Sequence, residues 1–139
     1  VTGHSIGAAV ATLAGVELRN LNYSVDIYKF GSPRVGNAAF TSFVTSQSPS
    51  LGENFRMTHL NDPVPQLPPS WMGYEHTSPE YWLSDGTDAT DDYNSTDVVI
   101  CTGLGNADCN AGTGLIPIDG TAHSHYLGGI DLCQGSLSW

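Results

Sequence analysis

Val1-Thr2-Gly3-His4-Ser5-Ile6-Gly7-Ala8 opens the chain, and its reading decides the fold. Gly3 to Gly7 form a Gly-x-Ser-x-Gly pentapeptide. In a nucleophile elbow the serine sits on a sharp turn between a strand and a helix, so its hydroxyl stands clear of the sheet. Strand and helix pass so closely there that both flanking glycines are expected to be needed. Downstream, Ala8, Ala9, Val10, Ala11, Leu13, Ala14, Val16 and Leu18 belong to a small-residue, helix-favouring run without proline. Upstream, a strand should lead into the elbow, yet only Val1 and Thr2 precede Gly3. The expectation is a chain that starts inside a domain, with its N-terminal strands missing. The pentapeptide alone has a competing reading, a glycine-rich turn before a buried helix.

Further along, Val25 to Phe30 is rich in β-branched and aromatic residues and reads as a strand ended by Gly31-Ser32-Pro33. Asn37 to Val44 carries Ala38, Ala39, Phe40, Phe43 and Val44 at helical spacing. Phe55 to Leu60 reads as a second strand. Asn61 to Pro69 contains four prolines, which remove backbone donors and fix the chain outside regular structure. Strand, helix, strand, helix, strand is the pattern of a parallel sheet with crossover helices. Tyr81 to Leu83 and Val98 to Ile100 are shorter strands suited to an antiparallel edge. From Thr102 to Asp119 the chain is glycine-rich and irregular.

The chain has 139 residues, enough for one domain. Four Lys+Arg face fourteen Asp+Glu, for a net charge of -10. Such a surface repels phosphate backbones, which argues against nucleic acid, and lacks the basic patch that docks on anionic lipid. No apolar run approaches the roughly 20 residues of a membrane helix. Two sequons, Asn22-Tyr23-Ser24 and Asn94-Ser95-Thr96, join low lysine, acidic charge and cysteines in a loop-rich tail. Together these suggest a secreted glycoprotein. Cys101 and Cys109 bracket glycines and are expected to close a small disulfide loop, leaving Cys133 without a mate here. Three free buried thiols are the alternative.

A serine nucleophile needs a base, and the base an orienting acid. In α/β-hydrolases the chain order is Ser, then Asp or Glu, then His. Asp62 stands at the C-terminal end of an expected strand, the sheet edge where catalytic groups gather. His123 and His125 follow. Ser5, Asp62 and either histidine thus occur in the required order.

Six stretches carry a resemblance. They are Gly3-His4-Ser5-Ile6-Gly7-Ala8-Ala9, Gly31-Ser32-Pro33-Arg34-Val35-Gly36-Asn37, Thr58-His59-Leu60-Asn61-Asp62-Pro63-Val64-Pro65, Gly73-Tyr74-Glu75-His76, Ser78-Pro79-Glu80-Tyr81-Trp82 and Ala122-His123-Ser124-His125-Tyr126. In this order they resemble the C-terminal half of the class 3 lipases, which include fungal triacylglycerol lipases, mono- and diacylglycerol lipases and type A feruloyl esterases. The resemblance implies an α/β-hydrolase fold, with residues 1–139 as the C-terminal part of one domain. It implies Ser5 as nucleophile, Asp62 as acid and His123, the histidine after alanine, as base. The backbone N–H of Ile6 would be one oxyanion-hole donor. The family's second donor, its lid and its first strands lie earlier than any residue here.

The family more often has leucine where Ile6 stands. After the base it often has an apolar pair, where this chain has Ser124-His125, a more polar wall beside the acyl groove. Ser78-Pro79-Glu80 is closer to the lipases than to the feruloyl esterases. The expected activity is Ser-His-Asp hydrolysis of carboxylic esters, acylglycerols first, at a lipid–water interface and without a cofactor. A feruloyl esterase, or a partial chain or binding domain without catalysis, is the alternative.

Other residues have plainer readings. His4, Val64, Leu67 and Ser124 are placed near the substrate. Trp71 and Met72 join Val64 and Leu67 either in an acyl groove or in core packing. His59 and His76 read as hydrogen-bonded core residues, and Arg34 as a structural hub. Asp26 and Asp119 are alternative acids. His123, His125 and Asp131 lack the spacing of a helical metal pair, so no metal is expected.

Overall fold

From β1 to β3 the sheet is assembled one βα step at a time, always in the same direction. The computed structural model describes residues 1–115, 118 and 120–130. Strand β1 (Thr2–His4) leads into α1 (Ile6–Asn20), then β2 (Ile27–Phe30), α2 (Ala38–Ser46), β3 (Asn54–His59), β4 (Glu80–Leu83) and β5 (Val98–Cys101). Spatial order follows chain order, β1 to β5. The first four strands are parallel and β5 runs antiparallel on β4.

One expectation is corrected at the start. The strand entering the elbow is present: Thr2, Gly3 and His4 pair with Tyr28, Lys29 and Phe30. Three residues suffice because β2 supplies the ladder. β2 in turn starts at Ile27 rather than Val25. The carbonyl of Val25 instead accepts from the guanidinium of Arg19 at 3.0 and 2.8 Å. The second helix starts one residue after Asn37, whose side chain caps it by accepting from Phe40 N at 3.0 Å.

Both helices cover one face of the sheet, and that covered face is unusually polar. Three of the four basic residues, Arg19, Lys29 and Arg56, are buried. Arg56 pairs with Glu80 at 2.9 Å, and Thr58 donates to the other oxygen of Glu80 at 2.6 Å. Lys29 Nζ donates to Thr77 Oγ1 at 2.5 Å. Each buried charge therefore has partners, as burial demands. Tyr28 and Phe55 stack at 4.6 Å on the opposite face.

Cys101 and Cys109 form the expected disulfide, with Cα atoms 6.3 Å apart. The bridge delivers Asn110, whose side-chain amide donates to the carbonyls of Leu60 and Asp62 at 3.0 and 2.9 Å. Cys133, Asp119 and Asp131 lie outside the described residues.

Candidate functional site

Ser5 lies between β1 and α1 with φ 56° and ψ −131°, a left-handed backbone that side chains rarely adopt. Its N–H is fixed by Phe30 O at 2.9 Å, the last residue of the neighbouring strand. The close passage of strand and helix is real at Gly3, where a β-carbon would stand 2.3 Å from Gly7 O. It is not real at Gly7, where an added β-carbon meets nothing within 4 Å among the described residues. Only the first of the two glycines is required by this crowding. Ile6 is the first residue of α1, where helix geometry leaves N–H groups without an intrahelical acceptor. Its side chain is exposed.

Asp62 follows β3 on a tight turn, its N–H donating to His59 O at 2.9 Å. The carboxylate is fully buried. Oδ1 accepts from Val64 N at 2.9 Å. Oδ2 accepts from His123 Nδ1 at 2.8 Å and from the hydroxyl of Tyr126. With Nδ1–H so committed, His123 Nε2 is the acceptor, and Ser5 Oγ donates to it at 2.7 Å. Serine, imidazole and carboxylate thus form one hydrogen-bonded row. Gly31 makes room for it. At φ +56° its missing β-carbon would stand 3.0 Å from both Asp62 Oδ2 and His123 Nδ1.

The remaining expected residues take various places. His125 turns away to Asp91, Nδ1 to Oδ1 at 3.0 Å. Ser124 is half-buried in the 3-10 turn that carries His123. Val64 is half-buried and holds Asp62 through its backbone. His4 donates from Nε2 to the carbonyl of His123 at 2.7 Å, with the two rings 4.5 Å apart. Burial pushes the pKa of His4 down. Buried His59 donates from Nδ1 to Ala122 O at 2.9 Å. His76 donates to Pro65 O at 2.6 Å, and burial holds it well below the usual histidine range.

Arg34 is the expected hub, donating to the carbonyls of Gln66 and Pro68. Its own N–H holds Leu67 O at 2.7 Å. Leu67, Met72 and Trp71 are exposed, Trp71 to 82%, so core packing does not describe them. Met72 lines a cleft of about 460 Å³ with Leu13, Val35, Phe40 and Tyr74. Two residues at the row escape sequence reasoning, Tyr126 and Gly31. Tyr126 stands three residues after His123, and Gly31 closes a strand. Those positions, and their place inside two of the six stretches that carry the family resemblance, are the signal for them. Among the described residues no cluster of three His, Cys, Asp or Glu side chains is placed to hold a metal, and no helix is long and apolar enough to cross a membrane.

Comparison with known proteins follows the same geometry. A family model described as Lipase (class 3) matches residues 1–72. Secreted mono- and diacylglycerol lipase 1 of Fusarium solani is 49% identical over 96% of this chain and 38% of its own length. Secreted mono- and diacylglycerol lipase A of Penicillium camembertii is 47% identical over 97% of the chain and 43% of its own. A crystal structure of the mono- and diacylglycerol lipase from Aspergillus oryzae superposes with a TM-score of 0.83 at 38% identity, covering 94% of this chain and 48% of that one. The Rhizomucor miehei triacylglyceride lipase structure gives 0.73 at 33% identity, over 92% and 46%. The chain spans about two fifths of the length of the curated relatives it matches.

Proposed function

We propose, on the premise that this chain belongs to the class 3 lipase family, that its Ser5–His123–Asp62 row hydrolyses carboxylic esters. The fold is that of the α/β-hydrolases, which the matching fungal lipase structures share. The observation that carries the proposal is the pair of bonds on His123. Nε2 accepts from Ser5 Oγ at 2.7 Å while Nδ1 is held by Asp62 at 2.8 Å.

In the reaction Ser5 Oγ attacks the ester carbonyl carbon as its proton passes to His123 Nε2. The carbonyl oxygen becomes an oxyanion, and the N–H of Ile6 donates to it. Asp62 keeps Nδ1 protonated and favours the imidazolium. Collapse of the tetrahedral intermediate expels the alcohol, which takes its proton from His123. Water then attacks the acyl-enzyme as His123 accepts its proton, and His123 returns that proton to Ser5 Oγ as the acyl–Oγ bond breaks and the carboxylic acid leaves. The strained turn at Ser5 holds Oγ forward throughout.

The substrate class is acylglycerol, met at a lipid–water interface. Relatives named as mono- and diacylglycerol lipases support this reading, and those named as secreted support an extracellular site of action. Val64, Leu67 and Ser124 border the acyl and alcohol moieties, while the ring of His4 is taken up by the carbonyl of His123. Residues 1–139 supply the nucleophile, acid and base to a single α/β-hydrolase domain. The test is pH-stat titration of emulsified diolein against methyl ferulate. Fatty-acid release from diolein with little turnover of ferulate is expected. Preferential ferulate hydrolysis would move the protein to the feruloyl esterases, and no ester hydrolysis at all would refute the proposal.

A further inference from the structure

The turn that carries His123 is closed by His123 N on Gly120 O at 3.1 Å and Ser124 N on Thr121 O at 2.9 Å, neither of which engages the carbonyl of Ala122 or of His123. It is a three-residue 3-10 turn, Ala122–Ser124. Within it, Ala122 O receives only His125 N at 3.5 Å. Two histidines from the sheet supply what the turn lacks. His59, at the end of β3, donates from Nδ1 to Ala122 O at 2.9 Å. His4, at the end of β1, donates from Nε2 to His123 O at 2.7 Å. These are the carbonyls of the two peptide units that flank the α-carbon of His123. Fixing both planes restrains φ and ψ of that residue, and with them the direction of the Cα–Cβ bond from which its ring projects.

Resting on the ester-hydrolase reading above, we propose that His4 and His59 are positioning residues that clamp the peptide units on either side of the base. The ring of His59 is itself committed. Its Nε2 accepts from the hydroxyl of Tyr93 at 2.5 Å, so Nδ1 keeps the proton it donates to Ala122. The ring of His4 lies over that of His123 and donates beneath it. Neither histidine reaches Ser5 by a hydrogen bond in the described structure, so their effect on the reaction passes through His123. Both grips come from strand ends, and strand ends are held by the sheet ladder. A turn so held keeps Nε2 opposite Ser5 Oγ, where displacement by about 1 Å costs on the order of 100-fold in rate.

Amide side chains can imitate each grip separately. Asn places its Nδ2 where histidine has Nδ1, and Gln places its Nε2 where histidine has Nε2. His59→Asn and His4→Gln therefore keep the donated bond, whereas His59→Phe and His4→Phe keep a ring and lose it. The experiment measures kcat and KM on a soluble ester, the rate of Ser5 capture by a fluorophosphonate, and Tm. The Phe variants should lower kcat and the capture rate by about 10- to 100-fold with KM within about twofold. The amide variants should recover most of that loss, whatever their Tm. Equal losses in amide and Phe variants, or changes confined to KM, would overturn the clamp. If the Phe variants do not fold, Tyr93→Phe decides, because it releases the ring of His59 from a half-exposed position. A several-fold fall in kcat supports the clamp, and an unchanged kcat overturns it. A parent protein that shows no adduct at Ser5 overturns the ester-hydrolase reading together with this one. An adduct in the parent with unchanged rates in every variant overturns the clamp alone.

Discussion

Tyr126 donates its hydroxyl proton to Asp62 Oδ2, the same carboxylate oxygen that accepts from His123 Nδ1. One oxygen of a fully buried carboxylate therefore serves two donors. Burial, followed by the adjoining Asp62 charge, pushes the Tyr126 phenol well above its ordinary range, so it stays a donor. Replacing Tyr126 by Phe removes a hydrogen bond to a charged group, a change worth about 1.5–3 kcal/mol. Tyr126→Phe should lower kcat about tenfold or more, with KM nearly constant. Steady-state kinetics on a soluble ester check this, and unchanged kcat would show that Val64 N and His123 suffice to hold the carboxylate.

Gly31 is the second lever on the same oxygen. An alanine there would place its β-carbon 3.0 Å from both Asp62 Oδ2 and His123 Nδ1, at φ +56°. The backbone strain alone costs on the order of 1–3 kcal/mol. Gly31→Ala should lose about 100-fold in kcat through displacement of the acid–base pair, together with several degrees in Tm. Full activity in this variant would mean that the row has slack the geometry does not show.

Lys29 makes stability depend on pH. Burial, then the neighbouring Arg56 and Arg19, push its pKa from 10.5 down to about 7. The unfolded chain keeps a lysine near its ordinary value. Between about pH 7 and 10 the unfolded state thus holds one more proton than the folded state, and stability rises with pH. Below that window both states are protonated and the contribution is constant. Thermal melts of the protein and of Lys29→Met should therefore differ most at the acid end, with the variant gaining, and converge as pH rises to 9. A difference independent of pH would remove Lys29 from the explanation.

The Cys101–Cys109 bridge closes a short loop and carries Asn110 to the carbonyls of Leu60 and Asp62. The double change Cys101→Ala, Cys109→Ala should cost roughly 2–3 kcal/mol in urea unfolding. It should also lower kcat several-fold, because the turn that carries Asp62 loses its outer tie. Loss of stability with unchanged kcat would confine the bridge to a structural part.

The sequence makes some of this legible and hides the rest for physical reasons. The βα alternation and the Gly-His-Ser turn point to a parallel sheet, because strand and helix periodicities and turn chemistry are local properties. Ser5, Asp62 and a late histidine stand out by chain order. Order alone leaves His123 and His125 equal, and family resemblance is what separates them in the sequence. In the fold His125 faces Asp91. The short strand Thr2–His4 is invisible because its stability comes from pairing with β2, not from its own residues. No local signal marks Lys29, Arg56 and Glu80 as buried, since Arg56 and Thr58 donate to Glu80, and Lys29 to Thr77, across separate strands and loops. Gly31 matters through residues 31 and 92 positions away and Tyr126 through one 64 positions away, and such contacts leave no local mark.

Covalent capture of the nucleophile tests the central claim most directly. The protein is treated with a fluorophosphonate at neutral pH, and adducts are mapped by peptide mass spectrometry. The account predicts a single phosphonylated residue, Ser5, captured quickly in the parent and in His125→Ala. Capture should slow by several orders of magnitude in His123→Ala, because triad removal strips the serine of its base. An adduct on another residue, or equal capture rates in the parent and His123→Ala, would contradict it.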